Sequence, residues 1–249
     1  MALFLDLDNT LLPSLAAYDY AIKNCARVWT KKELGGDFDS LYAVARKDVK
    51  NRLVSHTSNR NRLLCFKHML DSVRSGGLGA NDFETLLWLD GEYFKFFTEF
   101  LTKEKEAATY SNLLFPKLRE IQKQHTLYLL TNETLRTQAF KLKSFFPNDI
   151  RFVLTSSEEV GFEKPSTEFF SYALTKTKSS PSECYMIGDS WEDDILGANR
   201  HGLNAIHLLE QFSNEQTITE LDSPNSAKIY QCKNIISALD FVSLRFGKR

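Results

Sequence analysis

Cysteine is scarce in this chain. There are four in 249 residues (Cys25, Cys65, Cys184 and Cys232), and no two form a C-x-x-C pair. That spacing offers neither a disulfide framework nor a cysteine zinc site, and it reads as reduced, buried thiols in a cytosolic protein. An excess of one charge is also missing, with 31 Lys and Arg against 32 Asp and Glu. Nothing at whole-chain level therefore points to nucleic acid or an anionic membrane surface as partner. No apolar run approaches the roughly 18 residues of a membrane span. The N-terminus has no basic region ahead of its apolar stretch, and Asp6 and Asp8 interrupt that stretch, so it does not read as a signal peptide. Internal repeats and low-complexity tracts are absent. What remains is ordinary globular composition, 43% hydrophobic and 25% charged, in a chain long enough for one large domain or two modest ones. The expectation is a cytoplasmic protein.

Short apolar runs bounded by turn residues recur along the chain. Strand candidates are Leu3–Leu5, Leu127–Leu130, Phe152–Leu154, Tyr185–Ile187 and Ala205–Leu208, with a weaker one at Lys228–Tyr230. The first five are too short for helices and do not alternate strictly, which suits a parallel sheet covered on both faces. Helical patterns at 134–145, 165–177 and 191–201 follow the second to fourth, and a last one lies near Ile235–Leu244. This alternation predicts an α/β domain. Residues 15–110 break it. Their apolar residues recur at helical spacing in blocks at 15–30, 39–55, 59–74 and 81–103, separated at Gly35-Gly36, Ser55–Ser58 and Ser75–Gly79. The last block, with Phe83, Leu86, Leu87, Tyr93, Phe94, Phe97 and Leu101, reads as an aromatic core. The predicted organisation is an α/β core of residues 1–14 and 111–249 with an inserted helical cap at 15–110.

The polar residues that interrupt this pattern fall at strand ends. In an open parallel sheet, ligands bind at the carboxyl ends of the strands. "LFLDLDNTLL" places Asp6 and Asp8 there after the first strand, and "LYLLTNE" adds Thr131 and Asn132. "YMIGDSWEDDILGA" delivers Asp189, Asp193 and Asp194, and "GFEKPSTEFF" sets Lys164 before Pro165 on a loop entering a helix. Carboxylates gathered this closely raise one another's pKa, and a hard divalent cation removes the conflict. Mg²⁺ prefers oxygen ligands and is commonly held by one or two carboxylates; Asp6 and Asp189 with the Asp8 backbone carbonyl suit it.

Four ordered motifs, D-x-D-N-T at Asp6–Thr10, the strand-ending Thr131, Lys164-Pro165 and G-D-S-x-x-x-D at Gly188–Asp194, resemble the haloacid dehalogenase superfamily in its phosphatase branch. The resemblance implies a Rossmann-like core with a helical cap inserted after the first motif. It also implies a phosphomonoester substrate. By that resemblance Asp6 attacks phosphorus and forms an aspartyl-phosphate, while Asp8 acts as acid and then base. Lys164 and Mg²⁺ neutralise the phosphoryl charge, and Asn9, Thr131, Asn132 and the amides after Asp6 hold the phosphoryl group. The metal set is Asp6, Asp8, Asp189 and Asp194, with Asp193 as the reserve for the fourth-motif position. Asp8 separates phosphatases and phosphomutases from dehalogenases of this fold, whose halide leaving group needs no proton. Ser166 and Thr167 replace the more usual acidic residue and second proline after Lys164-Pro165.

The cap would select the substrate, a small phosphorylated metabolite such as a nucleoside monophosphate or a phosphosugar. Residues 41–75 hold eight Lys and Arg against two aspartates, and Arg60 or Arg62 could reach an anionic substrate. A solvated helix face accounts for the same charges. His56 and His68 read as surface or packing residues. A phosphomutase would share every core motif. A phospho-acceptor domain lacks the G-D-S-x-x-x-D motif and the helical insertion.

Overall fold

The computed structural model describes residues 1–54 and 56–246; Ser55, within one of the expected breaks between helices, lies outside the described residues. The first strand, β1 (Ala2–Leu5), is followed by four helices, α1 (Ser14–Lys31), α2 (Phe38–Arg52), α3 (Arg62–Val73) and α4 (Ala80–Glu104). Helix α5 (Phe115–Gln122) leads into β2 (Leu127–Thr131) and α6 (Leu135–Phe145). Next come β3 (Val153–Ser156), the short α7 (Ser157–Val160), α8 (Thr167–Thr175) and β4 (Cys184–Gly188). A wide helical turn, Trp191–Leu196, runs into α9 (Gly197–Arg200). The chain closes with β5 (Asn204–Leu208), β6 (Thr219–Leu221), β7 (Ile229–Cys232) and α10 (Ile235–Phe246). Among the described residues no helix is long and apolar enough to cross a membrane.

The seven strands form one sheet in the order β3-β2-β1-β4-β5-β7-β6, parallel except for β6, which runs antiparallel to β7. Alternate side chains on each strand face opposite layers. Leu3, Leu5, Leu127, Leu129, Ile187 and Ile206 join the larger core, and Ala2, Phe4, Leu130, Met186 and Ala205 join the smaller one. Both faces are thus apolar and covered, which is why the strands read as continuous apolar runs. The chain builds outward from β1 to β2 and β3, then returns to β4 on the other side of β1. That reversal opens a crevice at the carboxyl ends of β1 and β4, where doubly wound sheets place ligands.

The four expected helical blocks are α1 to α4. Burial of Leu86, Tyr93, Phe94, Phe97 and Leu101 on α4 makes the aromatic core, but Phe83 and Leu87 are 47% and 65% exposed. They occupy the outer face of a helix whose stripe is satisfied without them. Helix α8 also starts later than expected: Ser166 caps it, its hydroxyl accepting from the Phe169 amide, so Pro165 stands ahead of the helix. Phe152 and Lys228 fall just outside β3 and β7.

Candidate active site

Asp6 leaves the end of β1 with its amide donating to the Ile187 carbonyl of β4 at 2.9 Å. The register that pairs Leu5 with Ile187 sets Asp6 beside Gly188 and brings it to Asp189. Asp6, Asp189 and Asp194 each offer a carboxylate oxygen within 4.8 Å of the others. Gly188 is required here, since a Cβ at that position would overlap the Asp194 carboxylate. Lys164 is buried, and its Nζ lies 2.6 Å from Asp6 Oδ1 and 2.5 Å from Asp194 Oδ1. A third donor contact, 2.8 Å to the Leu130 carbonyl, fixes the ammonium under the ends of β1 and β2.

The charges at this point do not balance. Burial pushes Asp6 up to about 7, a rise that Lys164 opposes and that Asp194 and Asp8 reinforce. Burial and the neighbouring Asp6 push Asp189 up to about 6. Asp194 is also raised by burial, against the pull of Lys164. Lys164 stays charged because Asp194 and Asp6 outweigh the effect of its burial. Three crowded carboxylates against one ammonium hold protons unless a further cation arrives, and oxygen-only donors fit a hard divalent ion.

Asp8 points elsewhere. Its Oδ1 accepts from Lys141 Nζ at 2.5 Å and from the Ser14 hydroxyl, and its Oδ2 accepts from the Gln138 amide at 3.1 Å. Burial would raise this carboxyl, but Lys141 and the three hydrogen bonds outweigh it and hold it below the usual range. Gln138 also donates to Thr131 Oγ1 at 2.5 Å, tying the end of β2 to Asp8. Lys141 and Gln138 were not expected from the sequence. The buried stripe of α6 runs Gln138, Lys141, Phe145, polar at two positions where a helix packed on a sheet normally carries apolar residues.

The remaining expected residues divide by what they touch. Asn132 clamps the Lys164 backbone, accepting from its amide at 2.6 Å and donating to its carbonyl at 2.9 Å. Asn9 adopts a left-handed φ of 60° and accepts from the Leu15 amide at 3.0 Å, so its side chain shapes the loop that enters α1. Asp194, not Asp193, joins Asp6 and Asp189. Arg60 is paired with Glu163 and is thereby drawn to the loop that carries Lys164. Arg62 donates to the Arg60 carbonyl at 2.6 Å and stacks its guanidinium over Tyr18, 4.9 Å from the ring centre. His68 lies 3.5 Å from Asp48 on the helical segment, and His56 accepts from the Ser58 amide. Asp6, Asp8, Asn9, Thr131, Asn132, Lys164, Asp189, Asp194 and Arg62 all line one cavity of about 600 Å³, a size typical of small-molecule sites.

A family model for haloacid dehalogenase-like hydrolases matches residues 1–202. The chain is 31% identical over 211 residues to the ribulose-1,5-bisphosphate 5-phosphatase of Halopiger xanaduensis, covering 82% of this chain and 83% of that one. In three dimensions it is similar to a 2-haloacid dehalogenase from Pseudomonas syringae pv. Tomato, with a TM-score of 0.69, 22% identity and coverage of 99% and 100%. A HAD-hydrolase from Bacillus subtilis, solved bound to magnesium, aligns with a TM-score of 0.55 and 23% identity over 83% of this chain and 87% of that one. The chain belongs to the haloacid dehalogenase-like hydrolases and is an enzyme of their phosphatase branch.

Proposed function

We propose that the protein is a Mg²⁺-dependent phosphomonoester hydrolase that works through an aspartyl-phosphate on Asp6. The observation that carries this reading is the meeting of Asp6, Asp189 and Asp194 with the Lys164 ammonium at one end of the sheet. In the first half-reaction an Asp6 oxygen bonds to phosphorus, the ester P–O bond breaks, and the leaving oxygen takes a proton from Asp8. In the second, water attacks phosphorus while Asp8 accepts its proton, and the P–O bond to Asp6 breaks to release inorganic phosphate. The ion pair with Lys141 favours the carboxylate form of Asp8, the form the second half needs. An incoming phosphate dianion raises its proton affinity for the first. Lys164 offsets the repulsion between the Asp6 carboxylate and the phosphate, and Thr131 with the loop amides orients the phosphoryl oxygens. Asp6, Asp189 and Asp194, with the Asp8 backbone carbonyl, would hold Mg²⁺, which when bound supplies further positive charge to the phosphoryl oxygens.

Residues 15–110 serve as the cap and the remainder as the catalytic core. The substrate is a small phosphorylated metabolite, and the Halopiger relative, named for a phosphosugar, favours a phosphosugar over a nucleotide. The test is release of inorganic phosphate from a panel of phosphomonoesters with Mg²⁺, alongside mass spectrometry of acid-quenched enzyme for a phosphate on the Asp6 peptide. Failure to release phosphate from any member would refute the reading, and an isomeric phosphosugar in place of free phosphate would make the enzyme a mutase.

A further inference from the structure

The wall of the cavity facing the strand ends is built by the helical segment, and its charge is of the opposite kind. Lys23 from α1, Arg46 and Lys50 from α2, Arg60 and Arg62 line it, against Asp19 and Asp39 from the same segment. Arg60 is neutralised by Glu163. Among the described residues Lys23, Arg46, Lys50 and Arg62 have no carboxylate within ion-pair distance, although 17 such pairs occur elsewhere among them.

Two further features show that these charges are poorly satisfied. The Arg62 Nε is buried without a hydrogen-bond partner, an omission that costs free energy in a folded chain. Lys50 is held below the usual lysine range, first by the positive charge of Arg46, then by burial, Arg62 and Arg60. Like charges collected on one wall of a cavity repel, and an anion placed among them relieves the repulsion. The scissile phosphate does not serve, because its partners are Lys164 and the ends of β1, β2 and β4. Roughly 600 Å³ leaves room for a second group.

We propose that this wall is a second anion subsite, and that the substrate is a phosphomonoester bearing another acidic group, phosphate or carboxylate, at its far end. The inference rests on the phosphatase reading above and narrows its substrate class. Glu133, hydrogen-bonded to Tyr18 beneath the Arg62 guanidinium, favours the charge of Arg62. A neutral sugar phosphate would still leave Arg46 and Lys50 without a counter-charge, whereas a doubly anionic one meets positive charge at both ends of the cavity.

The experiment uses inert ligands. Calorimetry on the full chain with Mg²⁺ compares an alkyl phosphonate, the same chain ending in a carboxylate, and the same chain ending in a second phosphonate, in lengths from propyl to hexyl. One of the doubly anionic series should bind roughly tenfold or more tighter than its singly charged counterpart. Which series wins tells a far phosphate from a far carboxylate. The advantage should shrink with added salt, and Lys50→Glu should cut it by about threefold or more. The Lys50 side chain is exposed and makes no hydrogen bond among the described residues, so this variant changes charge without removing packing. Equal affinities at every length, no binding of any ligand, or an advantage untouched by Lys50→Glu would overturn the subsite. Hydrolysis of p-nitrophenyl phosphate is followed in parallel. Its absence, together with that of every ester in the panel, would refute the phosphatase reading whatever the calorimetry shows.

Discussion

Replacing Lys141 with methionine should destabilise the fold and do so in a pH-dependent way. Lys141 is fully buried, and its Nζ lies 2.5 Å from an Asp8 carboxylate that is 25% exposed. Methionine keeps most of the length of the side chain and removes the charge. Asp8 is then left with the Ser14 hydroxyl and the Gln138 amide. Breaking a buried ion pair from one side costs about 3–5 kcal/mol, and the partial exposure of Asp8 with its two surviving donors sets the loss near the lower end. For a chain of this size, about 3 kcal/mol lowers Tm by roughly 6–12 °C. The sign with pH follows from Asp8, whose carboxyl Lys141 holds below its usual range. A carboxyl depressed in the folded state contributes stability above its unfolded pKa, and that contribution is lost as pH falls through the folded value. The gap between variant and wild type should therefore be full at neutral pH and close as pH drops below about 4. Thermal unfolding by circular dichroism across that range reads both. A Tm within about 2 °C of wild type at neutral pH, or a gap that does not change with pH, would refute the argument.

Asp6→Asn should abolish turnover while the circular dichroism spectrum stays that of the wild type; activity that persists after deamidation is excluded by mass spectrometry would remove the covalent step. Lys164→Ala should lower kcat/KM on the order of 10²–10³-fold, since it removes the one ammonium beside Asp6, and an unchanged kcat/KM would place no charge of Lys164 on the reacting phosphate. EDTA should stop the reaction and Mg²⁺ restore it. Because Asp6 is raised to about 7 and Asp189 to about 6, protons compete for the same oxygens, so calorimetry should show Mg²⁺ binding weaken as pH falls through that interval. Affinity independent of pH would mean the ion is held elsewhere.

The strands that carry the site were legible because parallel strands buried on both faces are continuous apolar runs, and polar residues of the cavity stand at their ends. Thr131 closes β2 and Asp189 follows β4, as the run lengths alone indicate. β6 was not legible: Thr219–Leu221 is an edge strand of three residues in which only Leu221 packs on the core, too few to impose a pattern. Helix α5 was obscured because Thr109–Leu114 enters it as a wide helical turn and shifts its apolar residues out of register. Lys141 escaped for a different reason. A lysine in an amphipathic helix ordinarily reads as solvent-facing, and only the tertiary position of Asp8 makes a buried ammonium tolerable there. Asn132 lines the cavity, but its clamp on the Lys164 backbone needs the loop geometry to be seen.

The two aspartates that stand one residue apart are separated by the turn that follows them. In a continuing strand, positions i and i+2 would share a face and two carboxylates would compete for one counter-charge. Here β1 stops at Leu5, Asn9 takes a left-handed conformation, and the Asn9 amide donates to the Leu12 carbonyl at 2.8 Å. The chain thereby turns back on itself, so that Asp6 meets Lys164 from the loop before α8 while Asp8 meets Lys141 from α6. The two carboxylates meet different ammonium groups. The environments then diverge. Asp6 shares its lysine with Asp194 and is raised, which leaves room for a further cation beside it. Asp8 has its lysine to itself and is lowered. Two identical side chains thus acquire different proton affinities from the partners the fold brings to them, as the proposed nucleophile and proton carrier would require.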